Sequence, residues 1–395
     1  MVPAPLPSSA IRLAAALAIA LCCGLSAAQG VPATRGVPTV PNPSLVDDDA
    51  PAAAAPAPGV VVVPPALPAA AAEPVKRVAD IALILPLAAP DYARAAEAVR
   101  DGFIAAATAA GLDARVRVIG HEDGAVAGAF DAAEKLGVRI VVGPLVRDDL
   151  RTLAALGRPL PLTLALNQFD DGTALPPSVY ALTLSLDADA RLRATRMRDD
   201  QVPSVAVIRS DSPLERRFAA AFTDAWLAAG GGALETHRFD HAPEALGALR
   251  REMAKSTAQA ALVTLPGAQA ALARSFAPRL AAYATSLVNE AQDVAALRDL
   301  EGVVFVDVPW LVYPLDPAFA RVARPDLGSN VLQRLYALGL DAFAVAQAFA
   351  RGLPDKLDLA GATGRLALGD GRLIQRSGAL ATFRRGQVVP LDGTR

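Results

Sequence analysis

Short apolar runs alternate with longer amphipathic segments along the chain from about residue 77 onward. The runs IALIL, RIVV, SVAVIR and QAALVTL are rich in small and branched apolar residues, and each is followed by Pro, Gly or Ser. Between them, segments such as DYARAAEAVRDGFIAAATAAG place apolar residues at helical spacing until a glycine ends the pattern. Strands that alternate with helices in this way build a parallel sheet covered on both faces, so the pattern predicts an α/β fold.

The alternation occurs in two similar sets, which predicts two lobes within residues 77–395. The late elements are expected to return to the early half, so that the chain crosses between the lobes more than once. We assign residues of about 77–185 and 287–345 to lobe one, and about 186–286 and 346–395 to lobe two. The expected architecture is a two-lobed clamshell, each lobe a parallel sheet flanked by helices.

The N-terminus has the features of an export signal. Arg12 precedes the apolar run LAAALAIALCCGL, which is too short to span a bilayer comfortably. Ser26, Ala27 and Ala28 then offer small residues of the kind that a signal peptidase accepts. We therefore expect residues 1–28 to be a signal peptide and the mature chain to reside in the periplasm.

Both cysteines, Cys22 and Cys23, lie inside this segment. Cleavage after Ala28 would leave a mature chain without a thiol. The alternative is lipidation of one of the cysteines, which would anchor the protein to the outer membrane, although the residues before each cysteine match a lipobox poorly. Apart from such an anchor, no membrane contact is expected.

Residues 29–76 form a Pro/Ala-rich tract that includes APAAAAPAPG. This composition cannot pack a core, so we predict a disordered linker. At roughly 3.1 Å per residue in a polyproline-like conformation, the tract could reach on the order of 100 Å. Such a length is suitable for a tether between a membrane anchor and a folded domain.

The carboxyl ends of the predicted strands are the candidate ligand site, because ligands of open parallel sheets bind there. These ends lie at Pro86, Leu87, Gly143, Pro144, Leu145, Arg147, Asn167, Gln168, Ser210, Asp211 and Ser286. Helix N-termini behind several of them would suit a carboxylate or another anion. However, Asp148 and Asp149 occupy the first turn after Gly143, so a self-capped helix that holds no ligand is the alternative.

Composition and motifs argue against several functions. With 38 basic and 40 acidic residues, the chain carries a net charge of -2, so no nucleic-acid partner is expected. Its three histidines are scattered, and the sequence contains no H-E-x-x-H, no G-x-S-x-G and no P-loop lysine. We therefore expect no metal, no cofactor and no enzymatic activity.

The segment DVPWLVYPLDP follows a predicted strand and carries Trp310 and Tyr313. Trp310 could line the cleft, or Trp310 and Tyr313 could form a contact with a partner protein. It could also simply pack this loop onto a helix of the same lobe. The sequence leaves these alternatives open.

The order of several segments resembles the C-terminal domain of the penicillin-binding-protein activators. The segments are IALILPLAAPDYARAAEAVRDGFIAA, IVVGPLVRDDL, LALNQFD, YATSLVN, LEGVVFVDVPWL, LYALGLDAFAVA and GATGRLALGDGRLIQRSGALATFRRGQVVPL. The resemblance covers residues of about 79–391. It implies a type I periplasmic-binding-protein fold and a non-enzymatic periplasmic regulator of cell-wall synthesis whose partner is a class A penicillin-binding protein.

The alternative function is a solute receptor of a transporter or sensor. Amino-acid receptors of this fold usually place Ser or Thr hydroxyls around the ligand carboxylate, just after the strand that corresponds to residues 140–143. This chain has Leu145, Val146 and Arg147 there instead. Leu and Val cannot hydrogen-bond a carboxylate, although Arg147 could pair with one. The substitution favours the regulator, and an unidentified small-molecule ligand remains an expectation of the receptor alternative.

Overall fold

The computed structural model describes residues 80–169, 172–290, 294–354 and 356–391, with the side chains of 294–296 excepted. These residues belong to one compact unit. The expected signal peptide, the Pro/Ala-rich tract and the two cysteines lie outside the described residues.

The first strands and helices alternate and build most of lobe one. In chain order they are β1 (Ile81–Leu85), α1 (Ala93–Ala109), β2 (Val116–Gly120), α2 (Val126–Lys135), β3 (Ile140–Val142), α3 (Arg147–Ala155), β4 (Thr163–Ala165) and β5 (Val179–Leu182).

The middle of the chain repeats this alternation in lobe two. Its elements are α4 (Leu186–Asp199), β6 (Val205–Arg209), α5 (Pro213–Ala228), β7 (Leu234–Arg238), α6 (Pro243–Lys255), β8 (Ala260–Val263), α7 (Gly267–Phe276), β9 (Ala281–Ala284), α8 (Val294–Asp299), β10 (Val304–Asp307) and α9 (Pro309–Val312).

A long helix and five strands complete the fold. They are α10 (Asn330–Arg351), β11 (Asp358–Ala360), β12 (Arg365–Leu368), β13 (Leu373–Ser377), β14 (Ala379–Arg384) and β15 (Gln387–Pro390). Short 3₁₀ helices occur at Asp113–Arg115, Ser286–Glu290, Pro317–Phe319 and Asp370–Arg372.

The strands form two sheets, one in each lobe. The eight-stranded sheet of lobe one has the order β11-β12-β13-β5-β4-β3-β1-β2, and the seven-stranded sheet of lobe two has the order β15-β14-β10-β9-β8-β6-β7. Pairing is parallel from β2 through to β13, whereas β11 and β12 pair antiparallel. In lobe two, β14 and β15 add the antiparallel edge. The predicted two-lobed α/β architecture is confirmed, with mixed rather than purely parallel sheets.

The division of the chain between the lobes differs from the sequence-based assignment. The strand β10 pairs with β9 of lobe two, although residues 287–345 were assigned to lobe one. Conversely, β13 pairs with β5 of lobe one, although 346–395 were assigned to lobe two. The chain therefore crosses after β5, between β10 and α10, and between β13 and β14. The apolar pattern of a strand shows that it is buried but does not identify its neighbour, because pairing is a long-range property.

The contact between α1 and α10 is the main helix packing of lobe one. Phe103 and Phe343 meet edge to face, with 5.4 Å between ring centroids. A Cβ atom added at Gly339 would lie 2.1 Å from the carbonyl oxygen of Val99, and one added at Gly102 would lie 2.0 Å from that of Tyr336. The two glycines therefore allow the helix backbones to approach more closely than any side chain would permit.

Candidate functional site

The end of β3 is packed tightly against β1 of lobe one. Gly143 has φ +117°, and a Cβ atom there would lie 2.1 Å from the carbonyl oxygen of Ile84. Gly143 is joined to Pro144 by a cis peptide bond. Pro144 and Leu145 are buried, as is Pro86 at the end of β1, whereas Leu87 is half-buried. The carboxyl ends of β1 and β3 are therefore part of the packed interior of lobe one.

The polar residues predicted at these strand ends form hydrogen bonds to the backbone of neighbouring loops. Asn167 is buried, and its Nδ2 donates to the carbonyl oxygen of Leu145 at 3.0 Å. Its Oδ1 accepts from the backbone N–H of Gln168 at 2.9 Å. The Nε of Arg147 donates to the carbonyl oxygen of Gln168 at 2.9 Å. Asn167 and Arg147 therefore join the loops that follow β3 and β4.

The two acids after Gly143 have different environments. Asp148 is exposed and forms an ion pair with Arg151 at 3.1 Å. Asp149 is buried, and its Oδ2 lies 3.8 Å from Nε2 of His121. Burial raises the pKa of the Asp149 carboxyl, while the charge of His121 acts in the opposite direction. No sequence pattern connects His121, which follows β2, with this helix.

The strand ends of lobe two are likewise occupied by internal contacts. The backbone N–H of Ser210 donates to Oε2 of Glu215 at 2.7 Å, and its hydroxyl accepts from Ser212 N at 3.0 Å. Asp211 is exposed and forms an ion pair with Arg238 at 2.7 Å. The contacts of Ser210 hold the loop before α5 against the first turn of that helix.

A buried arginine connects α10 to the strand ends of lobe two. The Nε and Nη2 of Arg334 donate to the two carboxylate oxygens of Asp307 at 2.7 and 2.8 Å. Its Nη1 donates to Oε1 of Glu290 at 2.6 Å, and Nη2 also donates to the carbonyl oxygen of Ser286 at 2.8 Å. Burial lowers the pKa of Arg334, but Asp307 and Glu290 outweigh it and raise the pKa above its usual range.

Arg334 therefore acts as a connection between the lobes. The helix α10 contributes Leu335, Leu338 and Phe343 to the core of lobe one, whereas Asp307 ends a strand of lobe two. Sequence reasoning missed this residue, although a signal exists. In the helical pattern Arg334 falls within a run of buried positions, and a charged residue there needs a partner.

The structure corrects the expectation that Trp310 contacts a partner protein or lines the cleft. Its side chain is fully buried, and Nε1 donates to Oε1 of Gln333 at 2.8 Å. The ring lies 5.4 Å from that of Tyr336, and the guanidinium of Arg324 lies 3.6 Å from its centroid. Trp310 packs its loop onto α10, which was the other alternative left open by the sequence.

The adjoining part of the same loop lies at the surface. Tyr313 is half-buried, and Leu315 is 93% exposed. Together with Val388 and Pro390 of the edge strand β15, they line a surface groove. Large apolar side chains this exposed are a feature of contact surfaces when they occur beside other apolar groups.

Within the described ranges, no group of three or more His, Cys, Asp or Glu residues is arranged to hold a metal ion. None of the helices in this part of the chain has the length and apolar character needed to cross a membrane.

Comparison with protein families gives one match that covers most of the chain. The model of the family described as "LppC putative lipoprotein" matches residues 52–261 and 260–386. These ranges include every strand of both lobes except the edge strand β15.

Curated relatives carry the name penicillin-binding protein activator LpoA. One from Edwardsiella piscicida is 27% identical over an alignment of 328 residues that covers 71% of this chain and 46% of the relative. Another, from Mannheimia succiniciproducens, is 28% identical over 80% of this chain and 56% of its own length. The chain thus spans about half the length of the curated relatives it matches.

Solved structures confirm the type I periplasmic-binding-protein fold. The C-domain of LpoA from Haemophilus influenzae, described as a regulator of PBP1A, has a TM-score of 0.67 and 23% identity over 79% of this chain and 99% of that domain. A "putative branched-chain amino acid ABC transporter" of Chromobacterium violaceum has a TM-score of 0.66 and 32% identity over 77% of this chain and 99% of its own.

Proposed function

The chain belongs to the LppC lipoprotein family, and from this membership we propose that it is a non-enzymatic periplasmic regulator of peptidoglycan synthesis. Its partner would be a class A penicillin-binding protein, whose activity it would stimulate by direct contact. The observation that supports this proposal best is the family match, which extends through both lobes. The activator relatives and the domain described as a regulator of PBP1A agree with it.

The contacts at the strand ends of lobe one also support a regulator. In an amino-acid receptor, the groups after β3 must be available to the ligand carboxylate. Here Asn167 and Arg147 donate to backbone carbonyl groups of the neighbouring loops. Leu145 and Val146, which are buried, offer no side-chain donor. In the proposed function, these strand ends stabilise lobe one and bind no ligand.

We place the contact with the synthase at the groove formed by Tyr313, Leu315, Val388 and Pro390. The sequence analysis named Tyr313 and Trp310 as candidates for a partner contact. Trp310 is buried, so we assign the contact to Tyr313 and the exposed Leu315. An exposed leucine at the centre of a contact loses its hydration when the partner covers it, so it is a suitable anchor.

A reconstituted synthesis assay tests the proposal. A class A penicillin-binding protein of the same bacterium would be supplied with its lipid-linked precursor, and the polymerisation rate measured with and without the chain. We expect the chain to raise the rate several-fold and to consume no precursor by itself. An unchanged rate, together with no co-sedimentation of the two proteins, would refute the proposal.

Substitutions can locate the contact in the same assay. Leu315→Lys is expected to lower the apparent affinity for the synthase at least about tenfold, because a charge replaces an apolar anchor. Leu227→Lys is the matched control, since Leu227 is also exposed, at 59%, but lies on α5. Equal effects of the two substitutions would exclude the groove as the contact.

A solute receptor is the second candidate, because the Chromobacterium violaceum structure combines 32% identity with nearly full coverage of that chain. A receptor would bind its amino acid tightly enough to raise the melting temperature in a concentration-dependent way. A panel of amino acids that includes leucine tests this. We expect no shift, and a shift with any of them would favour the receptor.

The cellular location rests on the family and on the predicted N-terminus. We propose a periplasmic domain that is either released by cleavage after Ala28 or anchored through Cys22 or Cys23. Labelling cells with a radioactive fatty acid distinguishes the two. Label that is lost when both cysteines are replaced by serine would establish the anchor, whereas an unlabelled protein would establish release.

A further inference from the structure

A cavity inside lobe two is lined by a buried guanidinium, two of whose nitrogen atoms find no acceptor among the described residues. Arg193 of α4 is only 2% exposed, and its Nε and Nη1 have no hydrogen-bond partner among the described residues. The cavity has a volume of about 50 Å³. It is lined by Leu186, Asp189, Arg193, Leu214, Glu215, Phe218, Thr264, Thr285, Ser286, Leu287 and Val306. All of these residues come from lobe two, so the cavity is separate from the strand ends of lobe one.

A second polar group of the cavity also lacks a partner. The Oγ1 of Thr285, at the end of β9, is buried and makes no hydrogen bond within the part of the chain that the structure describes. Buried polar groups nearly always find a partner, because leaving one without a hydrogen bond costs the desolvation of that group. Two such groups line the same cavity, and one of them is cationic.

The acids on the cavity wall already have their own donors. The two carboxylate oxygens of Asp189 accept from Nη2 of Arg376 at 2.7 and 2.8 Å. The Oε2 of Glu215 accepts from the backbone N–H of Ser210 at 2.7 Å. Burial lowers the pKa of Arg193 to about 10, while the nearby Asp189 opposes this shift. Arg193 is therefore still charged at neutral pH.

We propose that the cavity binds one small monovalent anion, of the size of chloride or formate, between the guanidinium of Arg193 and the hydroxyl of Thr285. A guanidinium binds anionic acceptors more strongly than neutral ones. The volume exceeds the roughly 10–15 Å³ that one water molecule needs, so an ion of this size fits. The first turn of the 16-residue helix α5, which contributes Leu214 and Glu215 to the wall, adds a favourable N-terminal dipole.

Thermal unfolding of the full-length chain tests the proposal at constant ionic strength. Sodium gluconate serves as the reference, because its anion is too large for the cavity, and it is replaced stepwise by sodium chloride or by sodium formate. We expect the melting temperature of the wild type to rise with the concentration of at least one small anion, as linkage requires. Comparison of the two series identifies whether a halide or a carboxylate is preferred.

Matched variants separate the cavity from general salt effects. Arg193→Met should lower the apparent anion affinity at least about tenfold, and Thr285→Val should weaken it to a smaller extent. Arg191→Met removes the same charge from an exposed position of the same helix and should leave the response unchanged. An equal response of Arg193→Met and the wild type, or no difference between small anions and gluconate in the wild type, would overturn the proposal.

A direct measurement does not depend on the folding of any variant. Crystals of the wild-type chain soaked in sodium bromide should give an anomalous peak within hydrogen-bond distance of Arg193 Nη1 and Thr285 Oγ1. A cavity that contains only water both after this soak and after a soak in sodium formate would overturn the proposal, whatever the thermal data show.

Discussion

Arg334 is predicted to contribute more to stability than any exposed ion pair of the molecule. Replacing it by methionine removes two hydrogen bonds to Asp307, one to Glu290 and one to the carbonyl oxygen of Ser286. The Asp307 side chain is completely buried, so its charge would remain in the interior without a cation. Removing one partner of a buried ion pair costs about 3–5 kcal/mol.

The double variant Arg334→Met/Asp307→Leu shows whether the uncompensated charge is the cause. Both charges are then absent, and a buried pair replaced by apolar residues is often nearly neutral. Asn289 Nδ2 and the backbone N–H of Val308, which donate to Asp307 at 2.9 and 2.8 Å, would lose their acceptor. That loss costs about 1–3 kcal/mol, so the double variant should be more stable than Arg334→Met but less stable than the wild type.

Urea unfolding at pH 7, followed by circular dichroism and by tryptophan fluorescence, measures these differences. Coincident transitions of the two signals verify a single cooperative step. Arg351→Met is the control, because Arg351 is exposed at the end of the same helix and should change stability by no more than about 0.5 kcal/mol. If Arg334→Met lowered the free energy of unfolding by less than about 1 kcal/mol, or if the double variant were less stable than Arg334→Met, the uncompensated charge of Asp307 would not be the cause.

Three further predictions concern the helix contact, a buried acid and the surface groove. Gly339→Ala should destabilise the fold by about 1–3 kcal/mol, because the new methyl group meets the backbone of α1. The control Gly128→Ala, which has open space around its Cβ position, should stabilise the fold by about 0.5–1 kcal/mol. Unfolding curves that show equal effects of the two substitutions would contradict the close helix contact. Burial raises the pKa of Asp341 from 3.8 to about 6, so the folded state binds the proton more tightly and stability should fall as the pH rises from about 4 to 6, by at most about 3 kcal/mol. This fall should be smaller in Asp341→Asn, and identical pH profiles would disprove the assignment. Leu315→Lys should leave the melting temperature within about 2 °C of the wild type, because the side chain is exposed, and a larger drop would show that it supports the fold instead of a contact.

The local pattern of the sequence was sufficient to predict the strands and the α/β class. Runs such as IALIL and SVAVIR are apolar throughout, as strands buried on both faces are, and they became β1 and β6. The neighbours of β10 and β13 could not be predicted in this way. Their pairing depends on residues far away in the chain, such as Phe383 of β14, whose ring stacks on that of Phe305 with centroids 4.9 Å apart.

The candidate site was predicted less completely than the fold. The rule for parallel sheets located the strand ends, but it could not show that Asn167 and Arg147 would be used by the loops themselves. Helical spacing does place Arg193 among the buried Ala190, Ala194 and Met197, which marks it as an interior cation. The residues that surround such a cation depend on tertiary packing, and helical spacing does not identify them.

The decisive measurement of the proposed regulatory contact is equilibrium binding between the purified chain and a class A penicillin-binding protein of the same bacterium. We expect saturable binding that Leu315→Lys weakens at least about tenfold, while leucine and other amino acids produce no heat of binding with the chain alone. Saturable binding of an amino acid in the absence of any binding to the synthase would refute the proposed regulator and identify the protein as a receptor.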